Sequence, residues 1–140
     1  MYSLRQITAE NHLRTHPFTR LHVYFQQFKP YKVIICASEH LAKYQTKIPP
    51  DPNISWVVQT MKKGDQDADV NTLLTGEGIE HILLNTLKIK KLYLGSGDKD
   101  LAIILEKAQS RKIDCEIIGI KPEFIAHELK EMVPKCHFLY

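Results

Sequence analysis

Four short apolar runs punctuate an otherwise mixed chain: Lys32–Ala37 (KVIICA), Ile54–Val58 (ISWVV), Lys91–Gly95 (KLYLG) and Cys115–Ile120 (CEIIGI). Each is rich in Val, Ile, Leu or an aromatic and stops near a turn or polar stretch. Such runs read as strands, mostly buried on both faces as in a parallel sheet. Residues Tyr2–Ile7 offer a first strand, although Arg5 and Gln6 are polar for a central position, and His137–Leu139 offer a last one.

Helical periodicity fills the gaps. Phe18, Leu21, Phe25 and Phe28 recur at helical spacing and place an aromatic stripe on one face, ended by Pro30. Ile79, Ile82, Leu83 and Leu87 mark a second amphipathic helix, and Leu101, Ile104, Leu105 and Ala108 a third beginning after Asp100. Phe124, Ile125 and Leu129 predict a fourth, with Pro122 ahead of it and Pro134 behind. The stretch Glu39–Asn53, containing Pro49, Pro50 and Pro52, reads as a loop or broken helix. Strands alternating with helices predict a three-layer α/β sandwich, a parallel sheet with helices on both faces. At 140 residues the chain suits one domain spanning residues 1–140.

Composition changes this picture little. The chain is 44% hydrophobic and 25% charged, values of an ordinary globular protein. A net charge of +3 is too small to announce nucleic-acid binding unaided, though a local basic cluster would attract phosphate. Cys36, Cys115 and Cys136 are far apart, without C-x-x-C spacing, and Cys36 and Cys115, lying in apolar runs, read as buried free thiols. Reduced thiols, a start (MYSLRQITAE) without the apolar core of a signal peptide and no membrane-length run predict a cytoplasmic protein.

Candidate chemistry sits in two acidic clusters. Gly95-Ser96-Gly97-Asp98-Lys99-Asp100 directly follows one strand, and Lys63-Gly64-Asp65-Gln66-Asp67-Ala68-Asp69 shortly follows another. Parallel strands share a carboxyl edge, where ligands bind in open α/β sheets, so both clusters are expected on one rim. Converging carboxylates repel, and a divalent cation such as Mg²⁺ or Mn²⁺ relieves that cost. Such an ion polarises a phosphoryl oxygen and activates water. The plainer readings are an N-cap for Asp98 and Asp100 and a solvated acidic loop for Asp65, Asp67 and Asp69.

The remaining candidates carry less. His12 and His16 have the i,i+4 spacing of a zinc pair, but Pro17 is adjacent and no third ligand is in sight. His22 suits a packing margin, and His81 and His127 suit helix surfaces. No Ser-His-Asp or Cys-His order is legible. Gly95-x-Gly97 lacks the third glycine of a dinucleotide fingerprint.

The stretch Leu92–Leu101 (LYLGSGDKDL), an apolar strand running into S-G-D-x-D and a helix, resembles the most recognisable motif of the NYN domains, a PIN-like family of metal-dependent ribonucleases. The following AIILEKAQSRK, the strand CEIIGI and Phe124–Leu139 (FIAHELKEMVPKCHFL) resemble the rest of such a domain. Ile7-Thr8-Ala9-Glu10-Asn11 resembles the family's opening I-D-A-E-N, and Glu80 falls about where the family carries a helix acid.

The resemblance implies an acidic Mg²⁺ or Mn²⁺ pocket that cleaves RNA. Carried over by residue, Asp98, Asp100 and Glu80 are its metal acids, and Asp69, or Asp67, matches a further one. Ser96 and Asn11 orient ligands or water. Lys62, Lys63, Lys88, Lys90, Lys91 and Lys99 are candidates to line an RNA path, with Lys62, Lys63 and Lys99 nearest the acidic rim and Lys63 and Lys99 expected to help orient RNA; each also reads as ordinary solvated surface, and Glu80 as an exposed helix acid. Thr8 departs from the pattern: it stands where the family has its first-strand acid, and a hydroxyl brings no charge to Mg²⁺. Either Glu10 or an acid of Asp65–Asp69 substitutes, or the pocket is weakened. Three functions follow: a ribonuclease; an impaired NYN-like domain that binds RNA or a protein partner without cleavage; and, most weakly, a phosphatase-like or nucleotide-binding protein. The partners expected are RNA and a second copy in a homodimer or another protein, with no membrane.

Overall fold

The computed structural model describes residues 16–59 and 70–140. The chain is α/β, with parallel strands in two sheets and helices around them, compatible with a PIN-like three-layer sandwich. It forms two compact units that divide between Leu74 and Thr75.

In the N-terminal unit, helix α1 (Pro17–Phe28) is set at both ends by local chemistry. The His16 ring accepts the Phe18 N–H at 3.1 Å, and Pro17 occupies the first turn, where its missing N–H costs nothing. The helix stops at Lys29, which adopts a left-handed φ of 49° while its N–H reaches the Phe25 carbonyl. Of the aromatic stripe, Phe18 is buried, and its ring meets Trp56 edge-on at 5.5 Å. Strand β1 (Val33–Ser38) pairs in parallel with β2 (Ile54–Gln59), Val33 opposite Ile54 and Ala37 opposite Val58. Between them the chain is a broken helix, as expected: α2 (Glu39–Ala42) followed by a 3₁₀ turn at Gln45–Lys47.

Helix α3 (Val70–Asn85) begins well ahead of the periodic apolar positions that announced it, and its Ile82 is fully buried. In the C-terminal unit, β3 (Lys91–Leu94), β4 (Asp114–Gly119) and β5 (Cys136–Phe138) pair in parallel in the order β3-β4-β5. Helix α4 (Ala102–Ser110) crosses from β3 to β4 and packs on β4, burying Ile104, Leu105 and Ala108. Helix α5 (His127–Met132) crosses from β4 to β5 and touches α4.

Two expectations need correction. Burial on both faces holds for β4, which is buried from Cys115 to Gly119, whereas β1 is only part-buried over its first four residues and β3 starts exposed. The predicted fourth helix is also broken. Pro122–Phe124 form a 3₁₀ turn, Ile125 is extended at φ −103°, ψ 125°, and regular helix starts at His127. The reason is tertiary: the Ala126 N–H donates to the Gly97 carbonyl at 2.9 Å instead of a helical partner. The expected strand at Tyr2–Ile7 lies outside the described residues. Among those described, no helix is long and apolar enough to cross a membrane.

Candidate functional site

At the carboxyl end of β3 the chain passes from buried Leu94 into Ser96-Gly97-Asp98. Asp98 is only 8% exposed, an unusual place for a carboxylate unless something offsets its desolvation. Local bonds hold it. Its N–H donates to Ser96 Oγ at 3.2 Å, and its carboxylate accepts the Asp100 N–H at 3.0 Å. Its carbonyl accepts the Leu101 N–H, closing the 3₁₀ turn Lys99–Leu101 that leads into α4. Asp98 is therefore an N-cap.

Gly97 is required by close approach. A Cβ there would overlap the Phe124 carbonyl oxygen and come within 2.9 Å of Ile125 Cα. Together with the hydrogen bond from Ala126 to Gly97, this clamps the Ser96–Asp98 loop against the segment before α5. At Gly95, by contrast, an added Cβ meets nothing within 4 Å.

The other expected site residues divide. Asp100, Lys99 and Glu80 are exposed, and Ser96 is part-buried with its hydroxyl engaged at Asp98. Asn11, Lys63 and Asp69 lie outside the described residues, as do Thr8, Glu10, Asp65, Asp67 and Lys62. Among the described residues no group of three or more His, Cys, Asp and Glu side chains is placed to hold a metal. The Ser96 hydroxyl and the Asp98 carboxylate of this loop offer oxygen, the chemistry a hard divalent cation selects.

One polar cluster escaped the sequence reading. Tyr93 lies opposite Glu116, and Ile118 opposite His137, so alternation puts Lys91, Tyr93, Glu116 and His137 on one sheet face. Lys91 Nζ lies 2.6 Å from Glu116 Oε2, and His137 Nε2 lies 2.6 Å from Glu116 Oε1. A carboxylate only accepts, so the histidine nitrogen facing it carries the proton. The Lys91 hydrogen bond, then that of His137, hold the Glu116 carboxyl below its usual range despite burial. The same carboxylate raises Lys91. Glu116 sits inside an apolar run, and its partner His137 is 21 residues away, so no local signal marked it.

None of the three cysteines is in a disulfide, as expected; burial pushes the Cys115 thiol up to about 11, whereas Cys36, expected to be buried, is only part-buried. His16 caps α1 and stacks near Tyr44 at 4.6 Å; burial, then Lys47, lower its pKa. His127 is exposed beside Glu131. An open groove of about 410 Å³ lies between α1 and the amino ends of β1 and β2, lined by His22, Phe25, Tyr31 and Pro50 among others. That is the edge opposite the one where α/β sheets build their sites, and it carries no converging acids.

A model of the NYN domain matches residues 6–140, essentially the whole chain. The chain belongs to the NYN domain family. Membership brings a PIN-like, nuclease-type fold, and NYN domains are generally metal-dependent and generally bind RNA. Neither a curated protein nor a solved structure matches this NYN chain.

Proposed function

We propose that this NYN domain is a Mg²⁺- or Mn²⁺-dependent ribonuclease of the cytoplasm, folded as one functional domain over residues 1–140. The observation that carries the reading is a nearly buried carboxylate, Asp98, held at the carboxyl edge of a parallel sheet inside the S-G-D-x-D loop. A buried acid kept in one orientation by Ser96 and the Asp100 N–H is preorganised to hold a cation.

Asp98, Asp100 and Glu80 would hold the metal, with Asp69 assisting and supplying charge where Thr8 does not. When bound, the cation offsets charge building on the phosphoryl oxygens and activates water. The chain's own groups do the positioning. Ser96 fixes the Asp98 backbone, Asn11 orients water or ligand, and Lys63 and Lys99 steer phosphate toward the acids.

The test is cleavage of a labelled single-stranded RNA in Mg²⁺, Mn²⁺ and EDTA. Cleavage should need the metal and fall by about a hundred- to thousandfold in Asp98→Asn, the scale of losing one electrostatic group at a reacting centre. Full cleavage by a folded Asp98→Asn chain would sink the reading. Thr8 favours a second one, in which the domain binds RNA or a protein partner without cutting. RNA would then shift in a gel uncut, and Asp98→Asn would leave binding unharmed or improved.

A further inference from the structure

Resting on the proposed action on RNA, we propose that the amino edge of the β3-β4-β5 sheet is a second RNA-holding surface. It is a cationic rim of Lys88, Lys90, Arg111, Lys112 and Lys135 that holds phosphates of a longer strand away from the Asp98 loop.

The three segments that enter this sheet share one local pattern. Ile89, Ile113 and Val133 are buried, at 8%, 3% and 9% exposure, and the cations beside them stay exposed. Residues 86–90, 111–113 and 133–135 contain no acid. The C-terminal unit as a whole carries as many Asp and Glu as Lys and Arg, so the rim is a local excess of positive charge. Asp98, Asp100 and Glu123 stand after the strands, at the opposite edge. Lys88 and Lys90, expected along one RNA path with Lys99, thus come before β3, whereas Lys99 follows it.

Backbone bonds fix the rim. The Lys88 and Ile89 N–H groups both donate to the Asn85 carbonyl, at 2.8 and 3.1 Å. Those of Arg111 and Ile113 donate to the Ala108 carbonyl, each at 3.0 Å, and Lys112 turns the chain at a left-handed φ of 60°. The segments are also joined side by side. The Asp114 N–H reaches the Lys90 carbonyl at 3.2 Å, and the Gln109 amide reaches the Met132 carbonyl at 2.6 Å, tying the end of α4 to that of α5. Neighbouring strands lie about 4.8 Å apart, so the three entries span about 10 Å. Among the described residues none of the five cations is in an ion pair; Lys91, which opens β3, is taken by Glu116. Asp114, which opens β4, is the acid next to them in sequence.

Like charges held together raise the local potential, and a polyanion that meets them releases its own condensed counterions. Arg111 offers a planar fork for two parallel bonds to one phosphate, and the lysines act as point charges. Such an anchor has no reacting atoms to align, so it does not need the carboxyl edge. Strand β4 has six residues, about 20 Å at ~3.3 Å each, between the two edges. Short RNA would meet the acids alone, and longer RNA would meet both edges. An anionic lipid surface would also answer the charge, and it would bury Leu87, which is 99% exposed beside Lys88. RNA is favoured because NYN domains generally bind it, and Leu87→Ser tells the two apart.

The experiment is fluorescence anisotropy on the full chain in EDTA across a range of KCl concentrations. The probe is a labelled oligouridylate of about 20 nucleotides, long enough to lay several phosphates on the rim. The rim variant Lys90→Gln, Arg111→Gln, Lys112→Gln should weaken binding roughly tenfold and flatten the salt slope by roughly 2, three phosphates' share for a single strand, with an unchanged melting curve. Equal charge removed from the N-terminal unit, by Lys29→Gln, Lys43→Gln, Lys47→Gln, should leave the slope as it was. In Mg²⁺ or Mn²⁺ the rim variant should raise KM for the long RNA, keep kcat, and cleave a tetranucleotide as the parent does.

An unchanged slope in the rim variant, or an equal drop in the N-terminal one, would overturn the inference. So would capture by phosphatidylserine vesicles that is lost in Leu87→Ser, with RNA binding untouched by the rim variant. Rim-dependent binding without cleavage in either metal keeps the inference and removes the nuclease reading. Cleavage of long RNA by the rim variant at unchanged KM removes the inference alone. No RNA binding at all removes both.

Discussion

The two units of this NYN chain are built on the same parallel pairing but differ in how much they bury. Among the described residues of the N-terminal unit, Pro17, Phe18, Ala37 and Ile48 are the buried apolar side chains. The C-terminal unit buries a continuous set from Ile82 through Leu101, Leu105 and Ile117 to Leu129 and Leu139. Strand β4 is buried along nearly its whole length, whereas β1 is part-buried for four residues. The S-G-D-x-D loop leaves the better-packed sheet. A carboxylate must be held within a fraction of an ångström to serve a metal, and a rigid strand end beneath it provides that.

The difference can be broken first in the core. Leu105→Ala removes a fully buried side chain from α4 and should cost about 3 kcal/mol in denaturant unfolding. Val23→Ala, at an exposed position of α1, should stay within about 0.5 kcal/mol. Equal losses would mean that the packing contrast is unreal.

The glycines of the loop sharpen it. Gly97→Ala forces a methyl into the Phe124 carbonyl and should cost about 2 kcal/mol through strain, while Gly95→Ala should be close to neutral. If both behave alike, the clamp on the Asp98 loop does not exist.

Next comes the charged cluster on the C-terminal sheet. The Glu116 carboxyl lies below its ordinary value of 4.5 because of Lys91 and then His137. A lowered folded-state value stabilises the fold at pH above the unfolded value, and that share is lost as pH falls through the folded one. Stability should therefore drop below about pH 4.5, and Glu116→Gln should flatten the drop while costing about 2 kcal/mol at neutral pH. An unchanged acid limb in Glu116→Gln would remove the ion pairs from the account.

The smallest effect is chemical. Cys115, with its thiol near 11, should resist iodoacetamide at pH 8 far longer than part-exposed Cys36 or Cys136. Mass spectrometry of the labelled peptides reads the order, and faster labelling of Cys115 would deny its burial.

Much of the fold was legible. Every described strand falls within a residue or so of an apolar run, because burying a short stretch on a sheet demands consecutive β-branched or aromatic residues. Asp98 was legible through the S-G-D-x-D pattern. Phe124 was misread as helical because its apolar spacing is local, while the contact that breaks the helix comes from Gly97, far back in the chain. Glu116 was hidden for a similar reason: its charge is tolerated only because Lys91 and His137 arrive from neighbouring strands.

By itself, then, the order of residues determined the alternation of strands and helices, the place of the S-G-D-x-D loop after β3 and the family. Periodicity, chain stiffness and turn chemistry are properties of neighbours along the chain. Tertiary structure decided that Asp98 is buried, that Gly97 is pinned beneath Phe124 and that a carboxylate survives within β4. Each depends on groups distant in sequence supplying the bonds and the space that water would otherwise provide.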